Sequence, residues 1–341
     1  MEIDILGIDL AKRIFQLHGA DKRGHALHRS KVARSALIEA VSQLRPKVIA
    51  MEACSSAHHW ARQFQEIGIE VKLISPHYVK PFVKTNKNDR NDAEAIVEAA
   101  CRASMNFVPV KSVEQQDIQA VHRIRELLIQ QRTALINQAR GLLAERGIAI
   151  ARSPSAFKKA LPEILEEPRG ELTSFCRTLL LVVLERFRSI EAQVAQADGW
   201  IESILKQSVL CQRIAAIPGI GAMTATAMVA AVGDAKSFKN GRHLAAWIGL
   251  VPRQNSSGGK SRLLGISKRG DAYLRTLLIH GARSVLIRVA CKHHARSVWL
   301  QDLIARRGYN RATVALANKN ARIIQSVLSG ESSYRPSAVA G

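Results

Sequence analysis

The chain changes its pattern near residue 108, and that change limits the folds open to it more than any single motif. Before it, short apolar runs alternate with helical stretches. After Phe107-Val-Pro-Val, the apolar spacing is helical throughout. Ile3 to Asp9 is a short apolar run ending in an acid. Ile14 to Gly19 is a second strand returning after a tight connection, and Val48 to Met51 is a third. One helix opens at Ser55 and Ser56, and another covers Ala93 to Ala103. Residues 1–108 are therefore expected to form an α/β domain, 109–210 a coiled-coil or helical-hairpin segment, 211–330 an all-α domain, and 331–341 a disordered tail. A length of 341 residues leaves room for two or three separate cores.

Four carboxylates sit where these strands end and helices begin: Asp9 in GIDLAK, Glu52 in VIAMEAC, and Asp89 with Asp92 in KNDRNDAEAI. Open α/β sheets bind ligands beyond the carboxyl ends of their strands, which is where Asp9 and Glu52 would meet. Asp89 and Asp92 are three apart on one helix and project from the same face, where they repel each other unless a cation lies between them. Hard oxygen donors without a convergent Cys or His cluster suit Mg²⁺ or Mn²⁺. Several carboxylates suit a pair of such ions about 4 Å apart, the arrangement used for phosphodiester chemistry. The plainer reading of each acid alone is a turn residue at Asp9, an N-cap at Asp89 and a first-turn acid at Asp92.

Charge points to the same class of substrate. The chain carries 50 Lys and Arg against 28 Asp and Glu, a formal net charge of +22. Such an excess favours contacts with a polyanion that release its counterions, so DNA or RNA is the expected partner. No stretch reaches the roughly 20 apolar residues needed to span a bilayer, and no signal peptide opens the chain, so a soluble cytoplasmic protein is expected. Cys54, Cys101, Cys176, Cys211 and Cys291 are far apart and lack zinc spacing, which predicts packed thiols. The adjacent pairs His58–His59 and His293–His294 diverge on a helix and are not expected to bind metal.

From Val113 to Arg146, Ile118, Val121, Leu128, Leu135, Ala139 and Leu142 follow a 3,4 spacing, interrupted by Arg125 and Arg132 at seam positions. A Pro-containing link from Ser153 to Pro168 is expected to join this helix to a second one. The second helix carries a stripe of Leu172, Cys176, Leu179, Val183, Ile190, Val194, Ala197, Ile201 and Ile204. The two helices form either an antiparallel hairpin within the chain or a pairing between subunits. Gln130, Gln131, Arg132 and Arg140 are candidate nucleic-acid contacts, or simply a solvated face.

The last unit begins with AIPGIGAMTATAMVAAVGD. Pro218-Gly219-Ile220-Gly221 before an apolar helix has the form of a helix–hairpin–helix turn, in which Gly219 and Gly221 allow a tight bend and the next helix offers its N–H groups to a phosphate. A polar Gly-rich loop follows from Pro252 to Gly265. It holds Ser256, Ser257 and Ser261 among Arg253, Lys260, Arg262, Lys268 and Arg269. Small residues let DNA approach, and the cations would hold a phosphate beside a serine. Serine needs an activator to act as a nucleophile, here metal-bound oxygen or the neighbouring positive charge, and no His–Asp partner is near, so on residues alone a flexible phosphate-binding loop without catalysis is favoured over a nucleophilic serine.

GIDLAK, MEAC, KNDRNDAEAI, IPGIGAMTA, GLVPRQNSSGGK, ISKRGDAYLR and ALANKNARI occur in this order over nearly the whole chain. The succession resembles the DEDD-type transposases of bacterial insertion sequences, bridge-RNA-guided recombinases with a RuvC-like domain. The resemblance implies an RNase H-like N-terminal fold, a coiled coil and a helical transposase domain. It implies Asp9, Glu52, Asp89 and Asp92 as a metal-binding tetrad. It also implies a nucleophilic serine at an SG step, which falls on Ser257 with Ser256 one position away. The implied partners are DNA and a structured guide RNA, and the implied assembly is a homodimer or homotetramer that brings serine and tetrad together across subunits.

Two other readings of the residues stay open. A RuvC-like junction resolvase or nuclease would use the acids with water and leave Ser257 idle, and a non-catalytic nucleic-acid-binding protein would need neither. A sugar-kinase or actin-like ATPase opens with a similar strand, but needs a second glycine-rich phosphate loop where this chain has Glu52 and Cys54.

Overall fold

The computed structural model describes residues 2–83, 89–167, 170–291, 294–330 and 334, with Asp89 and Arg90 described in backbone only. The expected tail at 331–341 lies outside the described residues except for Tyr334. The chain divides into two compact units, one up to Ser112 and one from Val113.

The N-terminal unit is a mixed α/β layer structure around a six-stranded sheet of order β3-β2-β1-β4-β5-β6. β1 (Ile5–Asp9), β2 (Ile14–Ala20) and β3 (Ala26–Ala33) form an antiparallel meander. β4 (Val48–Glu52) runs parallel to β1, and β5 (Glu70–Ile74) parallel to β4. β6 (Phe107–Val108) closes the edge antiparallel to β5. The helices are α1 (Leu37–Leu44), α2 (Ala57–Glu66), the short α3 (Pro76–Val79) and α4 (Asp89–Ala100). One face of the sheet packs Leu6, Ile8, Phe15, Leu17, Ile49 and Met51 against Trp60, Phe64, Leu37 and Val41. The other face packs Ala50 and Ile74 against Ala95, Ile96 and Ala99 of α4. Strands β1 and β4 are thus apolar on both sides, as central parallel strands must be. β3 and β5 have no continuous apolar run, and for that reason the sequence reading missed them.

The C-terminal unit is helical: α5 (Val113–Ala144), α6 (Pro154–Glu166), α7 (Ser174–Gln207), α8 (Val209–Ala215), α9 (Ala222–Val232), α10 (Gly241–Trp247), α11 (Ala272–Ile287), α12 (Ala295–Arg307) and α13 (Tyr309–Leu328). It is not all-α. β7 (Pro252–Gln254) and β8 (Leu263–Ile266) make a hairpin where a loop was expected. α5 and α7 lie antiparallel within the chain, with Leu128 packed against Ile190 and Val194. Their two seam arginines are accounted for: Arg125 Nε meets Asp198 and Arg132 Nη1 meets Glu191, each at 2.5 Å. These partly buried pairs fix the register.

Two sequence expectations fail in this region. The supposed link from Ser153 to Pro168 is largely helix α6, capped by the Ser153 hydroxyl on the Ala156 N–H and started by Pro154, which has no N–H to leave unpaired. Phe157 and Leu161 of α6 then pack on Leu180, Leu184 and Phe187 of α7. Because a third helix covers it, the buried stripe of α7 begins at Leu180, one position on from the predicted Leu179, which is 45% exposed.

His122 ties α5 to the rest of this unit. It is 4% exposed, with Nδ1 2.9 Å from the Tyr273 hydroxyl and Nε2 2.9 Å from the Thr226 hydroxyl, which itself donates to the Ala222 carbonyl. The pattern is satisfied by a neutral ring: Nε2–H donates to Thr226, and Nδ1 accepts from Tyr273. Burial first, and the Arg125 charge second, hold its pKa down at about 4 against an ordinary 6.5, while burial pushes Tyr273 up to about 12. Between those two His122 values, the unfolded chain takes up a proton that the folded unit refuses. The contribution is complete above about pH 6.5 and lost as pH falls toward 4, a fall of about 3 kcal/mol. Urea denaturation of the wild type and of His122→Gln across this range is expected to show the slope in the wild type and a weaker one in the variant.

Candidate active site

Parallel pairing sets the candidate site of the N-terminal unit. Ile8 of β1 is in register with Met51 of β4, so Asp9 and Glu52 are the next residues on adjacent strands and lie on the same face at their carboxyl ends. The third acid arrives on α4, which crosses β1 at Gly7. A Cβ there would lie 2.6 Å from both the Ala93 carbonyl oxygen and the Val97 side chain, so only glycine permits this approach. Asp92 is consequently close enough to act on Glu52, whose carboxyl is pushed above the usual range by burial first and by the Asp92 charge second. The Cys54 thiol is also raised, by burial and then by the charges of Glu52 and Asp9.

Asp89 begins α4 in backbone, three residues before Asp92, and its side chain lies outside the described residues. Among the described residues, no three acid, His or Cys side chains already converge enough to hold an ion. The donor chemistry nonetheless suits a hard divalent cation: acids gathered at one end of the sheet, with a thiol beside them that stays protonated.

His58 is held within the fold: its Nδ1 accepts the Lys111 N–H at 3.2 Å, and burial, followed by Lys111 and Arg62, holds its pKa at about 4. His293 lies outside the described residues, and His294 Nδ1 sits 3.0 Å from the Ser297 hydroxyl. The described cysteines are all free thiols.

The C-terminal unit holds a second candidate site, the β7–β8 hairpin. Ser257 and Lys260 bridge, the Lys260 N–H bonds the Ser257 carbonyl, and Gly258 and Gly259 between them have φ of +55° and +76°. That is a two-residue turn of the kind that follows strand twist and requires positive φ at both central positions. Ser257 is therefore carried at the exposed tip. The two serines differ in their bonding: the Ser256 hydroxyl accepts from the Gln254 amide at 2.8 Å, whereas no hydrogen bond engages the Ser257 hydroxyl among the described residues. Arg253, Lys260, Arg262, Lys268 and Arg269 are all exposed on the hairpin or its base, and none forms an ion pair among the described residues.

The base of the hairpin is rigid, and the residues that make it so escaped the sequence reading. Gly249 and Gly270, at φ of +81° and +78°, bring two backbone segments into contact. A Cβ on Gly249 would lie 2.1 Å from the Arg269 carbonyl oxygen, and one on Gly270 1.9 Å from that of Trp247. Arg275 Nη1 donates to both the Ile248 and Arg269 carbonyls, and the Asn318 amide donates to Leu250. Gly249→Ala or Gly270→Ala combines an unfavourable φ with backbone overlap and is expected to cost about 3 kcal/mol. Calorimetry should register a melting temperature roughly 5–10 °C lower.

Gly219 and Gly221 divide in role. Gly219, at φ +89°, meets Gly281 of α11, and a Cβ on either would overlap the other's backbone. Gly221 precedes α9 with open space where a Cβ would be, so the start of that helix is left approachable.

Residues 211–298 match the family described as Transposase IS116/IS110/IS902 family, and residues 6–147 match a DEDD transposase family of IS110 type. The chain is 48% identical to a probable family 20 transposase of Pseudomonas aeruginosa, over 98% of this chain and 100% of that one. It is 49% identical to the transposase for insertion sequence element IS1111A of Coxiella burnetii, over 98% and 92%. A pilin gene-inverting protein of Moraxella bovis is 41% identical over 64% of this chain and 60% of its own length. No helix among the described residues is long and apolar enough to cross a membrane. A DNA transposase of an insertion sequence, the chain belongs to the IS110/IS116 transposase family, carrying the DEDD-type domain at its N-terminus and the family's transposase domain at its C-terminus.

Proposed function

We propose that this transposase exchanges DNA strands through a phosphoserine link at Ser257, supported by a metal-binding tetrad of Asp9, Glu52, Asp89 and Asp92. The observation that carries the reading is the hairpin tip: a Ser257 hydroxyl on a two-glycine turn, with five exposed cations on the hairpin and its base, none of these groups engaged by a side-chain partner among the described residues. Ser257 Oγ attacks a DNA phosphorus, forming a new O–P bond as the bond to the 3′ oxygen breaks. The serine gives up its proton, and the leaving 3′ oxygen takes one to become a hydroxyl. The 3′-hydroxyl of the partner strand then attacks the phosphoserine and restores the serine. Arg253, Lys260 and Arg262 hold the phosphate in place. A divalent ion bound by the four acids would supply positive charge for the phosphate oxygens.

The N-terminal sheet order, with β2 antiparallel and β4 and β5 parallel to β1, supports an RNase H-like, RuvC-like reading. The division at 108, 210 and 330 assigns metal chemistry to the first domain, a coiled-coil arm to the second and the serine to the third. With serine and acids on separate domains, a homodimer or homotetramer completes the site. A structured guide RNA, recognised by shape and backbone, supplies the target choice. A relative named for inverting a pilin gene fits strand exchange better than hydrolysis, because inversion rejoins what is cut.

Product analysis separates this reading from a nuclease. Labelled donor and target duplexes incubated with protein, Mg²⁺ and the RNA transcribed beside the gene should yield joined strands. Hydrolysed free ends that persist without joining would support the resolvase or nuclease alternative.

A further inference from the structure

A pocket of about 220 Å³ opens in the C-terminal unit beside the glycine turn, away from the serine hairpin in sequence. Its polar lining comes from Ser284 and Arg288 at the end of α11 and from His294, Arg296 and Ser297 at the start of α12. No acid lines it among the described residues. Arg296 is 8% exposed and, among the described residues, carries its charge without a carboxylate: Nη2 donates to Asn320 Oδ1 at 2.6 Å, Nη1 to the Tyr334 hydroxyl at 3.2 Å, and Nε has no partner there. A guanidinium held out of water without a counter-ion destabilises the fold unless an anion arrives to pair with it.

The backbone adds to this demand. α12 is a 13-residue helix whose first turn has no side-chain cap and no acid; the Ser297 and Val298 N–H groups bond the His294 carbonyl, and the Ala295 and Arg296 N–H groups with the helix dipole supply positive potential at the pocket. Arg288 is exposed at the pocket's lining and forms no ion pair among the described residues. The pocket is built into the fold: Asn320, fully buried, accepts from Arg296 and donates its amide to the Pro218 carbonyl at 3.1 Å, joining α12 and α13 to the glycine turn.

We infer that this pocket seats a phosphodiester group of the DNA backbone, held by Arg288, Arg296 and the first turn of α12. Arg296 supplies buried charge, Arg288 reaches the entering group from the solvent side, and the helix N–H groups complete the oxyanion contacts. DNA is the favoured source of the phosphate because a transposase handles DNA and this chain carries a net charge of +22. The contact is independent of sequence and positions the duplex.

The test uses full-length protein in a Ser257→Ala background, so that binding is read apart from strand chemistry and the proposed serine mechanism is not at issue. Affinity for a short DNA duplex is measured against salt for the parent, Arg288→Gln and Arg296→Lys. Both variants are expected to bind several-fold more weakly on every duplex sequence; the log–log salt slope should fall by about one in Arg288→Gln, which loses a charge, and hold in Arg296→Lys, which keeps it and loses only the guanidinium geometry. Inorganic phosphate is expected to raise the melting temperature of the parent and not that of Arg288→Gln. Arg288 is exposed, so its variant remains informative if Arg296→Lys folds poorly. An unchanged slope in Arg288→Gln overturns the assignment, including the case in which phosphate still stabilises the parent, which would mark a site for free anions. A slope that falls on an RNA duplex but not on DNA also overturns it.

Discussion

Replacing Ser257 by Ala is expected to reduce strand exchange on the order of 10⁴-fold or more, the scale seen when a covalent nucleophile is removed. Folding should be untouched, because the hydroxyl is exposed and no hydrogen bond engages it among the described residues. Ser256→Ala gives the internal comparison. Its hydroxyl accepts from Gln254, so its loss relaxes the strand before the turn and should lower exchange only several-fold. Quantifying joined product for the two variants at equal protein distinguishes adjacent serines whose local geometry already differs.

The second large effect belongs to the sheet. Asp9→Asn and Glu52→Gln keep size and shape but remove charge at the ends of β1 and β4, and each is expected to lower strand exchange on the order of 10²–10⁴-fold. DNA affinity should hold or rise slightly, since both changes remove negative charge near a polyanion. Glu52→Gln also removes a charge that Asp92 opposes, so the N-terminal unit should be slightly more stable. Activity and stability moving in opposite directions would mark these acids as held for chemistry. If either variant retained full exchange, its acid would leave the proposed tetrad. Mixing Asp9→Asn protein with Ser257→Ala protein should restore part of the activity if the site is completed between chains.

Much of the N-terminal unit was legible because its central strands carry a strong signal. β1 and β4 are buried on both faces and read as unbroken apolar runs, so Asp9 and Glu52 could be placed at their ends from the sequence. β3, whose residues are half-buried or exposed with Arg29 and Lys31 among them, gave no such run. The role of Gly7 was invisible, since it depends on how closely α4 crosses β1. In the C-terminal unit, helical periodicity located the long helices but not their contacts. The displaced stripe of α7 and the helix within the supposed link both reflect α6, whose own signal was obscured by its prolines. Around the serine, the residue types were legible and the geometry was not. Gly258 and Gly259 suggested a loose loop, yet as the centre of a tight turn they order it. Asn318 and Asn320 stood in a recognisable motif without a role, because their work is to satisfy the carbonyls of Leu250 and Pro218, more than sixty residues away in sequence.

The central claim is that one serine and a set of acids from separate parts of the chain act in a single reaction. Trapping wild-type protein on labelled DNA, digesting it and mapping the modified peptide by mass spectrometry tests this most directly. The account predicts a nucleotide attached through phosphate to Ser257, dependent on divalent metal, absent in Ser257→Ala and strongly reduced in Asp9→Asn. Strand cleavage with no protein–DNA adduct, or an adduct on another residue that persists in Ser257→Ala, would contradict it.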